Sequence, residues 1–117
     1  MSKTIGVQVY EILPNGCLNG VYANEGSLNE IFNEISRKSA KQEDINIDPK
    51  DILIGKYDCF YFDLNNKGEE CELNIINGGS NSQYIFKWSE KGSTSSKFEG
   101  KGWKTNHNQI TIKYESV

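Results

Sequence analysis

From residue 52 to the end, short alternating segments are separated by clusters of turn residues. This punctuation constrains the fold more than any other feature. Residues 52–64 alternate Tyr57, Cys59 and Tyr61 with Asp58, Phe60 and Phe62. Residues 70–77 place Cys71, Leu73 and Ile75 on one face, and residues 83–89 do the same with Tyr84, Phe86 and Trp88. Residues 97–105 carry Phe98, Gly100, Gly102 and Trp103, and residues 109–115 align Ile110, Ile112 and Tyr114. Period-2 alternation is the mark of a strand with one face in a core. Short links such as Asn65-Asn66-Lys67-Gly68 and Gly78-Gly79-Ser80-Asn81-Ser82 leave no room for crossovers. The last five segments therefore predict an up-and-down antiparallel meander.

The N-terminus adds a hairpin. Over residues 4–13, Ile5, Val7 and Val9 alternate with Gly6, Gln8 and Tyr10. Pro14-Asn15-Gly16 is strong turn chemistry. Residues 17–23 resume the alternation with Leu18, Gly20 and Tyr22 on one face.

Between hairpin and meander the period changes. Ser27-Leu28-Asn29-Glu30 has the form of a capping box. Behind it Leu28, Ile31, Phe32 and Ile35 stand at helical spacing, and Arg37 and Lys38 suit a helix C-terminus. The expectation is an α-helix over 28–39 that plugs the core. Residues 40–51 are polar and contain Pro49, which predicts a connection with a short strand at Ile45–Ile47.

Seven or eight strands with one helix between strands 2 and 3 predict a mainly β fold, an antiparallel up-and-down barrel. Closure removes the exposed edges that invite aggregation. Gly100 and Gly102 fit strands that coil sharply or pack against a bulky neighbour, for which Tyr84, Phe86, Trp88 and Trp103 are candidates. The 117 residues suit one domain spanning 1–117.

Taken together, Gly55-Lys56-Tyr57, Cys71 to Ile75, Tyr84-Ile85-Phe86-Lys87-Trp88, Phe98 to Gly102 and Gln109 to Tyr114 resemble a pattern of uncharacterised bacterial lipocalin-like (calycin-type) barrels. The stretch Val9 to Tyr22 is similar to a further segment of that pattern, with Tyr22 where those proteins have Trp. In them this segment follows the last strand, whereas here it stands at the N-terminus. The resemblance implies a barrel closed by antiparallel pairing of strand 109–115 with strand 4–12. It also implies a non-enzymatic protein with an interior able to hold a small ligand.

Composition narrows the function classes. One His and three scattered Cys hold no multi-His or CxxC metal pattern. His107 lies in a polar turn with no nucleophile or acid placed beside it, and no serine elbow or phosphate-binding loop is present. No catalytic residue, metal or cofactor is expected. Glu69, Glu70 and Glu72 read as a solvated hairpin face. A net charge of −3 argues against a nucleic-acid partner, and no apolar run is long enough for a membrane span. The first residues lack the apolar stretch of a signal peptide, so the expected location is the cytoplasm, with export the alternative if a leader is missing. Cys17, Cys59 and Cys71 read as reduced thiols, although Cys59 and Cys71 flank one turn and could face each other across it, which would allow a disulfide in an oxidising compartment. Aromatic residues, 11% of the chain, are the most informative group. Tyr57, Tyr84 and Trp88 are the candidate ligand-lining residues if the barrel is hollow; in a filled barrel they are core. The alternative is a protein-interaction module, such as a cytoplasmic immunity or adaptor protein, acting through its acidic surface.

Overall fold

The computed structural model describes residues 4–25, 31–39, 53–62, 67–79 and 83–117. Eight strands follow in chain order: β1 (Ile5–Ile12), β2 (Leu18–Asn24), β3 (Phe32–Lys38), β4 (Gly55–Phe62), β5 (Gly68–Asn77), β6 (Gln83–Glu90), β7 (Ser96–Asn106) and β8 (Gln109–Ser116). Each pairs antiparallel with the next. β8 pairs antiparallel with β1, from Ile5 opposite Glu115 to Glu11 opposite Gln109, and closes the barrel. The turn after β1 forms as its residues dictate. Gly16 takes φ 86°, its amide donates to the Leu13 carbonyl at 2.9 Å, and Asn15 Oδ1 accepts from the Cys17 amide at 3.0 Å.

The expected helix over 28–39 is not present: residues 32–38 form β3, and the described residues contain no α-helix. The capping-box residues 27–30 and the strand expected at Ile45–Ile47 lie outside the described residues. The helical spacing was misleading because one of its four apolar positions points inward and two point out. Phe32 is buried, whereas Ile31 and Ile35 are exposed. β3 instead turns Phe32, Glu34 and Ser36 to the interior. Its register sets Tyr22 opposite Phe32, Gly20 opposite Glu34 and Leu18 opposite Ser36. A one-residue slip would bring Ile35 inside but would also bury Asn33 and Arg37. An unpaired buried guanidinium costs far more than the roughly 2 kcal/mol that burying Ile35 would contribute. Glu34 inside has donors waiting for it, and that difference settles the register.

Side chains fill one end of the barrel and leave the other open. Toward the C-terminal end of β1, Tyr10, Leu18, Tyr57, Leu73, Ile75, Tyr84, Phe86, Ile110 and Ile112 form one cluster with Leu53 and Ile54. Tyr57 donates its hydroxyl to the Leu53 carbonyl at 2.9 Å, tying the approach to β4 into this core. Lys38 lies with its Nζ 4.9 Å from the Tyr57 ring centre and donates to the Ile54 carbonyl at 2.8 Å. Inward glycines make room for aromatic rings. A Cβ on Gly102 would stand 2.7 Å from Phe86 Cε1, and one on Gly20 would stand 2.6 Å from Tyr10 Cδ1. Of the neighbours expected for Gly100 and Gly102, Phe86 packs on Gly102 while Trp103 is exposed.

Candidate functional site

The open end holds a cavity of about 420 Å³. It is walled by Tyr22, Phe32, Tyr61, Trp88, Phe98 and Tyr114, with Gln8 and Glu34 deeper inside. Strand parity delivers these groups. β3 contributes Phe32 and Glu34 two residues apart, β6 contributes Trp88 above Phe86, and β8 contributes Tyr114 above Ile112. A run of aromatic contacts climbs the wall from floor to mouth. Tyr10 stacks on Phe86 at 6.3 Å, Phe86 on Trp88 at 5.9 Å, and Trp88 meets Tyr114 edgewise at 5.6 Å.

Where the filled half meets the cavity stands a buried carboxylate. Glu34 is 5% exposed. Its Oε2 accepts from the Tyr10 hydroxyl, from Trp88 Nε1 at 3.2 Å and from Ser36 Oγ at 3.2 Å. All three donors are neutral. Ser36 Oγ also lies 2.9 Å from Cys59 Sγ, within hydrogen-bond reach. Burial first, and then the charge of Glu34, push the Tyr10 hydroxyl well above its ordinary value, so it stays a donor. Burial, then the bond to Cys71 and the charge of Glu34, push the Cys59 thiol up as well, which keeps it protonated and inert. Burial also raises Tyr22 and Tyr114, with Glu34 adding to both. The neutral hydroxyls thus surround one acid.

A second polar group faces the same space. Gln8 is 2% exposed, and its Nε2 has no hydrogen-bond partner among the described residues. A buried amide donor left unmade costs about 1–3 kcal/mol, so it needs a reason. At the mouth the charges are already matched: Lys97 lies 3.2 Å from Glu90, and Lys91 lies 3.0 Å from Glu70.

Of the three candidate lining residues, Trp88 lines the cavity. Tyr57 and Tyr84 sit in the filled half, 1% and 6% exposed, and are not among the lining residues. Cys59 and Cys71 are directly opposite each other on β4 and β5, as free thiols, with Cys71 lining the cavity. His107 is exposed in the turn between β7 and β8, at the opposite end from the cavity. No group of three or more His, Cys, Asp or Glu side chains suited to a metal occurs among the described residues. Sequence reasoning missed Glu34 and Gln8. Glu34 falls between Phe32 and Ile35 in the expected helix, and Gln8 alternates with Ile5 and Val7, which prove to be exposed. The available signal was Phe32-x-Glu34-x-Ser36, an alternation that matches Leu18-x-Gly20-x-Tyr22 on the strand before it.

No protein-family model, curated protein or solved structure matches the chain.

Proposed function

We propose that the chain is a non-enzymatic lipocalin-like barrel that binds a small apolar or amphipathic molecule in its open half. The carrying observation is the cavity of about 420 Å³ whose lining includes Gln8, its amide donor buried and without a partner among the described residues. A cavity of roughly 300–1,000 Å³ with aromatic walls and a few convergent polar groups is the usual form of a small-molecule site. Evolution keeps a barrel hollow at a cost, since each unfilled volume forfeits packing. The unmade hydrogen bond of Gln8 adds to that cost, and both are recovered when a ligand enters.

Native mass spectrometry of the purified protein tests this reading. A reproducible added mass of a small molecule supports it. Bare protein in every preparation, together with no binding of apolar fluorescent dyes, refutes it.

One observation favours the second reading, a protein-interaction module such as an immunity or adaptor protein. Val21, Ile35, Phe60 and Phe62 stand exposed on the outer face of β2, β3 and β4, with Ile35 directly opposite Phe60. Under that reading the native mass is a complex with a second protein, and Ile35→Lys dissociates it.

A further inference from the structure

Resting on the ligand-binding reading, we infer that the cavity selects an amphipathic cation. The ligand class is an amine or amidinium on an apolar, aromatic-sized body, with the charged nitrogen seated on Glu34.

The charge balance of the cavity argues first. Glu90 is paired with Lys97 and Glu70 with Lys91, both at the solvent edge. Glu34 lies deeper, and every group among the described residues that bonds it is uncharged. A buried carboxylate is expensive unless a cation meets it. All three bonds fall on Oε2, so Oε1 has no hydrogen-bond partner among the described residues, and Glu34 is one of the residues that line the cavity. An ammonium or amidinium meets Oε1 with a charge-assisted hydrogen bond.

The walls argue in the same direction. Trp88, Tyr114, Phe98, Phe32 and Tyr22 surround the space with ring faces and edges. Aromatic faces attract a cation as well as an apolar body, most strongly when both are removed from water. Gln8 Nε2 supplies a donor, and hence takes an acceptor on the ligand such as an ether or carbonyl oxygen. An anionic ligand of the same shape would meet Glu34 charge against charge in a poorly solvated space. A neutral one would leave the carboxylate uncompensated. The net charge of −3 also favours the approach of cations over anions.

Three probes sharing an indole body separate these cases: tryptamine, tryptophol and indoleacetate, titrated calorimetrically into the intact protein at neutral pH. Tryptamine is expected to bind at least about tenfold more tightly than the other two, a modest share of what a buried charge pair can contribute. Glu34→Gln keeps the side-chain shape and an acceptor for Tyr10, and is expected to bring tryptamine down to the affinity of tryptophol. Gln8→Lys supplies a cation from the protein itself and is expected to erase the same lead, which covers the case in which Glu34→Gln fails to fold. Equal binding of tryptamine and tryptophol to the native protein overturns the inference and leaves the ligand-binding reading standing. A lead for tryptamine that survives both substitutions overturns it as well. Absence of binding by all three at millimolar concentration overturns the inference, and overturns the ligand-binding reading along with it when apolar dyes also fail to bind.

Discussion

Replacing Tyr10 by Phe removes one oxygen from the molecule and little else. Tyr10 is fully buried, its ring lies beneath Gly20 and against Phe86, and a phenylalanine ring fits that space unchanged. The lost hydroxyl is one of three donors to Glu34 Oε2; Trp88 Nε1 and Ser36 Oγ remain, each at 3.2 Å. A hydrogen bond to a charged group contributes about 1.5–3 kcal/mol, and the carboxylate left behind has no route to water on that side. The expected loss is therefore about 2 kcal/mol. For a chain of this length that corresponds to a fall in Tm of roughly 6–12 °C. Urea unfolding followed by circular dichroism at pH 7 measures it, with an unchanged m-value expected because the buried surface is the same. Adding Glu34→Gln closes a double-mutant cycle, and the two residues should couple by about 1 kcal/mol or more. A Tyr10→Phe protein within about 0.5 kcal/mol of the parent, or a cycle with no coupling, would refute the claim that these donors hold the Glu34 side chain inside the barrel.

Three other outcomes are expected. Phe32→Ala should destabilise by about 3 kcal/mol while Ile35→Ser stays within about 0.5 kcal/mol, because the first side chain is inside and the second outside; equal costs in chemical denaturation would contradict the strand register. Gly20→Ala places a methyl 2.6 Å from the Tyr10 ring and 3.0 Å from Gln8 Nε2, so it should cost about 1–3 kcal/mol and also weaken ligand binding; calorimetric unfolding and a binding titration check both. Alkaline pH should unfold the protein. Tyr10, Tyr22 and Tyr114 hold their protons more tightly folded than unfolded, so their contribution is complete below the ordinary tyrosine value near 10 and is lost as pH rises through the folded values. Absorbance at a phenolate wavelength should then rise together with loss of the circular dichroism signal; phenolate formation at these tyrosines in a protein that stays folded would contradict the burial.

The alternation of Leu73 with Ile75, of Tyr84, Phe86 and Trp88, and of Ile110, Ile112 and Tyr114 was visible in the residues, because a strand with one apolar face records its orientation in every second position. Closure of the barrel by β8 on β1 was implied by the resemblance to lipocalin-like barrels, and the structure forms that pairing. The opposition of Cys59 and Cys71 followed from one short turn between two such strands.

The faces of β1 and β3 were a different matter. On β1 the β-branched residues Ile5 and Val7 point to solvent, while Gly6, Gln8 and Tyr10 point inward. On β3 an inward carboxylate broke the apolar alternation and left a spacing that mimics a helix. Local pattern measures the hydrophobicity of neighbours in the chain, and here the decisive partners are distant. Glu34 is bonded by Tyr10, 24 positions before it, and by Trp88, 54 positions after it. The sequence by itself determined an antiparallel meander of strands with aromatic residues on its inner faces. Tertiary structure alone decided that one half of that interior is filled and the other hollow, with an acid at the boundary. Whether a buried polar group is tolerable depends on donors that only the closed barrel brings within reach.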